Sequence, residues 1–219
     1  MKLKPHSFFF IFAVSLTTLS CVQRDAKREI SPAQSRAIEI AEENKASSTL
    51  VAEYVARELS LGPRQKRKFV QDYVAEREAF ATQQLEANRT GLLPVQKNEE
   101  GFLRVMNDNL SPDQVKVAIS ILRPRGFMRG SFMGLEGSVN MLIRINVPLK
   151  KIRKALPVLV TYNQQFAELV TKGLSSKDRM DKVIELRVAT AKELASIIGN
   201  DAADSWLGMQ RRQGISITK

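Results

Sequence analysis

The stretch NDNLSPDQVKVAISIL, residues 107–122, carries the signal from which we interpret the rest of the chain. Within it, LSPDQ has the composition of a helix start. Ser111 suits the N-cap, where its hydroxyl accepts a backbone N–H of the first turn. Pro112 suits the first helical position, because its missing N–H costs nothing there. Gln114 can return a hydrogen bond to the N–H of Ser111, which completes a capping box.

Variants of these five letters occur at 30–34 (ISPAQ), 61–65 (LGPRQ) and 174–178 (LSSKD), and each is expected to begin a helix. In each motif the N-cap residue is followed three positions later by a residue that can complete the cap. These pairs are Ser31 with Gln34, Gly62 with Gln65, Ser111 with Gln114, and Ser175 with Asp178. In 34–59, 65–85 and 180–198, apolar residues recur mostly at spacings of three and four, which predicts one apolar stripe per helix. No long run alternates with period two. We therefore predict an all-α fold of helical hairpins or an array of long amphipathic helices.

The N-terminus has the layout of a secretory signal peptide. Lys2 and Lys4 precede an apolar run, and the stretch ends in small residues before Cys21. A small residue followed by Cys resembles the bacterial lipobox, in which the Cys is acylated after cleavage. Ordinary secretion and a retained N-terminal anchor are the alternatives. We expect a periplasmic protein anchored through Cys21, at the outer membrane because Val22 is not a carboxylate.

The rare residue types limit the chemistry of the chain. Cys21 is the single Cys and His6, inside the predicted signal peptide, is the single His. Cleavage before Cys21 would exclude Cys/His zinc sites, Cys/His nucleophile pairs and His-based triads from the mature chain. Its carboxylates lie in no motif typical of catalysis. We expect no metal, no cofactor and no enzymatic activity.

The formal net charge of +11 indicates an acidic partner. Outside the inner membrane, anionic lipid head groups and acidic unfolded proteins are such partners. Nucleic acid is not expected, because aromatic residues are not interleaved among the cations as base stacking requires. Cations in the first turn of a helix oppose its macrodipole, which mildly favours an acidic ligand nearby. Both basic clusters could instead be solvated faces; they comprise Arg64, Lys66, Arg67 and Lys68, and Lys150, Lys151, Arg153 and Lys154.

A stretch rich in Gly, Met and Arg, residues 123–147, separates the two halves of the chain. Soft Met and Phe side chains among cations would suit an unfolded client or an anionic membrane surface. The alternative is a hinge whose apolar residues pack between the halves. The candidate binding residues are Arg123, Arg125, Phe127, Met128, Arg129, Phe132 and Met133. The predicted organisation is a signal peptide (1–20), a tether (21–30), a first helical unit (31–122), this connection (123–147), a second helical unit (148–211) and a tail (212–219).

LGPRQ and LSPDQ together resemble the paired LTxxQ motif of the Spy/CpxP-like family of periplasmic chaperones and stress sensors, over residues 50–122. The resemblance implies a helical protein, often dimeric, that binds unfolded or partner envelope proteins non-covalently. We therefore expect a chaperone-like or stress-adaptor lipoprotein that could form a homodimer. The alternative is a structural envelope lipoprotein that holds anionic lipid or a protein partner through its basic faces. The second half is either a degenerate second copy or an ordinary helical array with similar caps.

We predict that the mature protein begins at an acylated Cys21. Mass spectrometry of the N-terminal peptide from the membrane fraction should give the mass of a diacylglyceryl cysteine. Cys21→Ser should abolish that modification and release the protein from the membrane fraction. A mature protein that begins at another residue, or that carries a free thiol, would rule out lipid anchoring.

Overall fold

A computed structural model describes residues 32–90, 95–124 and 134–212, and it confirms the all-α fold. The described part contains eight helices and no strand. None of these helices combines the length and the apolar character that a membrane span requires. The helices are α1 (Pro32–Glu58), α2 (Pro63–Thr90), α3 (Val95–Asn109), α4 (Pro112–Leu122), α5 (Leu135–Arg144), α6 (Leu149–Thr171), α7 (Ser176–Ile198) and α8 (Asn200–Arg212).

The C-terminal half of α1 lies at the centre of the protein. It packs against α2, α4, α5 and α6. Val51, Ala52 and Val55 have no exposed surface, and Ala56 is almost fully buried. One hydrophobic cluster joins this face to residues of all the other described helices. At the far side of that cluster, the ring of Trp206 on α8 meets the ring of Tyr162 on α6 edge-on, with centroids 5.3 Å apart.

The helix starts predicted from LSPDQ and LSSKD are confirmed. Ser111 accepts a hydrogen bond from the backbone N–H of Gln114 at 3.4 Å, and its own N–H donates to Gln114 Oε1 at 3.0 Å, which is a complete capping box. Ser175 Oγ accepts from the N–H of Asp178 at 3.1 Å. The helix predicted after ISPAQ begins at Pro32. Ser31 lies outside the described residues, and the side chain of Gln34 is not described.

Two turns of the same geometry end α1 and α5. Ser60 and Asn146 adopt positive φ angles of 52° and 60°. In the first turn, Leu61 N–H donates to the carbonyl of Ala56 and Ser60 N–H to that of Arg57. The same pair of bonds closes the second turn, at residues 142–147. Both are Schellman motifs, and a proline soon after each one opens the next helix, α2 or α6. Both turns are expected to reverse the chain sharply.

Part of the predicted connection 123–147 is helical and belongs to the core. Leu135, Val139 and Leu142 of α5 have no exposed surface. Glu136 forms an ion pair with Arg77 of α2 at 3.0 Å, with about a fifth of each side chain exposed. Glu136 also accepts from Ser48 of α1 through its carboxylate. α5 is therefore fastened to α1 and α2 by apolar burial and by a partly buried charge pair.

Ser111→Ala should lower the free energy of unfolding by about 0.5–2 kcal/mol, because α4 loses its N-cap acceptor. The measurement is chemical denaturation followed by circular dichroism. Ser120→Ala is the matched control: Ser120 is exposed on the same helix and donates only to the carbonyl of Val117. Equal denaturation midpoints for Ser111→Ala and the control would contradict the capping role.

Candidate functional site

A groove lies between α1 and the N-terminal turns of α2 and α6, and we call it the cationic groove. It has a volume of about 350 Å³. Its lining comprises Leu50, Glu53, Tyr54 and Arg57 of α1, Lys66 of α2, and Arg153 and Leu156 of α6. The two basic clusters that are separate in the sequence therefore each contribute a cation to one surface.

The local structure explains why these residues meet. Leu50, Glu53, Tyr54 and Arg57 follow the spacing i, i+3, i+4, i+7, so they share one face of α1. The Schellman turns after α1 and α5 lead into α2 and α6, whose N-terminal turns lie beside that face. Neither of these first turns contains an acidic residue. The positive ends of two helix dipoles therefore reinforce the charge of the side chains.

The groove has an excess of positive charge. Its lining contains three cations and one carboxylate. Arg153 Nη2 contacts Glu53 Oε2 at 2.8 Å, and Arg57 Nη2 contacts Glu58 Oε1 at 2.9 Å. Lys66 forms no ion pair with any carboxylate in the described part of the chain. An incoming anion would thus meet one free ammonium and two guanidiniums whose own side chains are more than half exposed.

The floor of the groove is apolar and aromatic. Leu50, Tyr54 and Leu156 are all more than nine-tenths buried, so they present only edges to the groove. The guanidinium of Arg57 lies 4.8 Å from the centre of the Tyr54 ring. Burial raises the pKa of Tyr54; Glu58 raises it further, whereas Arg57 acts in the opposite direction. The phenol therefore stays protonated at neutral pH and can donate a hydrogen bond.

The structure separates the cations of the first basic cluster. Lys66 lies in the cationic groove, whereas Arg64 lines a second groove, of about 510 Å³, on the other side of the same helical turn. Arg67 is exposed and lines neither of these two grooves. The second groove also includes Asp108, and its Lys68 is paired with Asp72 at 2.7 Å. Its cations are therefore partly neutralised.

LGPRQ makes its hydrogen bonds differently from LSPDQ. Gly62 has no side chain to cap α2, and Gln65 donates its amide to the backbone carbonyl of Asn109 at 2.8 Å. Asn109 is the last residue of α3, two positions before Ser111. Its own amide donates to Asp72 at 3.0 Å and to Val105 O at 2.9 Å. The two motif copies are thus neighbours, and Gln65 fastens the start of α2 to the end of α3.

Arg123 is the only candidate of the Met/Phe/Arg group that the structure describes. It is half-buried, and its guanidinium lies 4.0 Å from the centre of the Phe102 ring. Burial lowers the pKa of Arg123. This cation therefore packs against α3. The other candidates of this group, Arg125, Phe127, Met128, Arg129, Phe132 and Met133, lie outside the described residues, as does Cys21.

Glu53, Tyr54 and Arg57 are not among the site residues predicted from the sequence. Their signal was available in the spacing on α1, because Arg57 follows Tyr54 and Glu53 at i+3 and i+4. That face alternates apolar and charged residues, which is unusual for a helix otherwise buried on several sides. The basic cluster after Pro148 is evident in the sequence, but nothing in the sequence places it beside the cluster at 64–68.

Within the described ranges, no group of three or more Asp, Glu, His or Cys side chains is arranged to hold a metal ion. Comparison of the chain with protein-family models, with curated proteins and with solved structures finds no match. The chemistry of the cationic groove therefore has to be inferred from its own residues.

Asn109→Ala should lower the free energy of unfolding by about 1–3 kcal/mol, because Asp72 and the carbonyl of Val105 lose their shared donor. Lys68 and then Asn109 lower the pKa of Asp72, so the stability that this carboxylate adds is present above its unfolded pKa and is lost as pH falls through the folded one. In Asn109→Ala that pKa should rise, and less stability should be lost on acidification. Denaturation at neutral and acidic pH measures both effects.

Asn107→Ala is the control for this prediction, since Asn107 is exposed on the same helix and lacks a hydrogen bond from its side chain in the described structure. An Asn109→Ala variant with unchanged stability and unchanged acid sensitivity would show that the bonds around Asp72 contribute nothing to the fold.

Proposed function

We propose that this protein is a lipid-anchored periplasmic protein with a chaperone-like or stress-adaptor role, and that it binds acidic segments of unfolded or partner proteins in the cationic groove without covalent chemistry. The observation that carries the proposal is the meeting of Arg57, Lys66 and Arg153 around an apolar floor. The resemblance of LGPRQ and LSPDQ to the LTxxQ motif supports the same class of function.

The shape of the groove supports a polypeptide ligand. It is concave, and its walls are formed by three helices whose positions are fixed by the core. Its volume of about 350 Å³ suits a few side chains of an extended segment. A flat bilayer surface would contact the rim of such a groove better than its floor. The edges of Leu50, Tyr54 and Leu156 would add apolar contact to the charge attraction.

The exposure of the cations determines how binding should behave. The side chains of Arg57 and Arg153 are more than half exposed, and Lys66 is exposed as well. Exposed charges contribute little affinity each but accelerate association, and salt screens their effect. Binding should therefore be moderate, fast and strongly dependent on ionic strength, as suits a protein that captures and releases many clients.

Replacing Arg57, Lys66 and Arg153 together with Gln should weaken binding of an acidic peptide by roughly 3- to 100-fold, since each exposed pair contributes about 0.2–1 kcal/mol. The probe is a fluorescent peptide of alternating Glu and Leu, titrated by anisotropy at low and physiological salt. The variant should also suppress aggregation of an acidic unfolded protein less well, and its binding should depend less on salt.

The control variant loses the same number of positive charges at positions that lie away from the groove. Lys177, Lys182 and Lys192 are exposed on α7, which packs against α6 and α8 rather than α1 or α2. Their replacement with Gln should leave peptide affinity nearly unchanged. Equal losses in the two variants would indicate a non-specific charge effect. Binding to phosphatidylglycerol vesicles but not to the peptide would favour the structural, lipid-binding alternative.

A further inference from the structure

Glu53 occupies an unusual position within the cationic groove. It is the only carboxylate in the groove lining, and it contacts Arg153 at 2.8 Å. About a third of the Glu53 side chain and more than half of the Arg153 side chain remain exposed. Solvent and ligand can therefore reach both partners of this ion pair.

The backbone of Glu53 is held firmly in this position. Its neighbours Ala52 and Tyr54 are buried, and the fully buried Val51 and Val55 belong to the core of the protein. The carboxylate can move only by rotation of its own side chain. The pair with Arg153 joins α1 to the second turn of α6, so it spans the groove from one wall to another.

We propose that Glu53 is a specificity-determining residue that stands in for a carboxylate of the partner, and that the partner must exchange with it to reach Arg153. This inference rests on the proposed function, because it assigns a role within the same groove. A carboxylate of the ligand takes the place of Glu53 Oε2 on the guanidinium, and the Glu53 side chain rotates into solvent. No bond is made or broken in this exchange.

The charge of Glu53 defines the class of ligand. A ligand with one carboxylate would bind the free ammonium of Lys66 and would leave the Glu53–Arg153 pair in place. A second carboxylate is needed to displace Glu53 and to engage Arg153. Glu53 therefore competes only with a ligand that reaches Arg153, and it leaves a singly charged ligand on Lys66 nearly unaffected. The groove should select extended polypeptides in which acidic residues recur every second position, since these present carboxylates along one side.

Glu53→Gln tests the inference directly. The substitution keeps the size of the side chain, removes the competing charge and frees Arg153. Affinity for the labelled Glu-Leu peptide should rise roughly 1.5- to 5-fold, the range expected for one exposed charge pair. Affinity for a peptide with a single Glu should rise by a smaller factor, because that ligand binds Lys66 without displacing Glu53, so discrimination between the two peptides should increase. Glu39→Gln, an exposed position near the start of α1, is the control of equal charge change and should alter neither.

Arg153→Gln distinguishes the exchange of carboxylates on Arg153 from a general change in the electrostatic potential of the groove. If the ligand replaces Glu53 on Arg153, the gain from Glu53→Gln should shrink markedly in the Arg153→Gln background. An equal gain in both backgrounds would overturn the exchange, and so would a Glu53→Gln protein with wild-type affinity and discrimination. Either result would leave the proposed binding function of the groove intact, provided that the variant with Arg57, Lys66 and Arg153 replaced by Gln still loses binding. If no variant and no wild-type protein binds the peptide, both the inference and the proposed function fail.

Discussion

Burial of one segment, Leu50–Ala56 of α1, is the constraint on which the rest of the structure depends. Five of its residues have 4% or less of their surface exposed on a helix that packs against α2, α4, α5 and α6: Leu50, Val51, Ala52, Val55 and Ala56. The small side chains of Ala52 and Ala56 leave room for close neighbours. The hydrophobic effect therefore fixes this part of α1 from several directions at once. That packing holds α2, α4, α5 and α6 in place around α1.

The same constraint produces the candidate site. Glu53, the charged residue of this segment, and the adjacent Arg57 stay outside the core and emerge where α2 and α6 begin. Gln65 holds the start of α2 against the end of α3, and Glu136 holds α5, which leads into α6, against Arg77. Buried and partly buried contacts thus fix the distances between the cations of the groove, although these cations remain exposed to solvent. A rigid frame with exposed charges lowers the cost of ordering a ligand without demanding buried ion pairs.

Much of the fold could be predicted from local sequence, but the site could not. Ser111 and Gln114 specify the start of α4 through bonds within one turn, and Ser175 begins α7 in the same way. The spacing of apolar residues predicts α1, α2 and α7, because this periodicity can be recognised within a single segment without knowledge of its neighbours in the fold. The cationic groove instead requires α2 and α6, which are far apart in the sequence, to meet on one face of α1. The glycines and cations of 123–147 predict a connection rather than a helix. Leu135, Val139 and Leu142 nevertheless recur at helical spacing, and they form the buried face of α5.

The central claim is that an acidic polypeptide lies in the cationic groove, and nuclear magnetic resonance tests it most directly. The backbone amides of the mature domain would be followed by heteronuclear correlation spectra while the Glu-Leu peptide is added. The largest chemical-shift changes should fall on residues 50–57 and on the first turns of α2 and α6. Changes confined to other parts of the chain, such as α7 or the stretch 123–133, would contradict the assignment of the binding site.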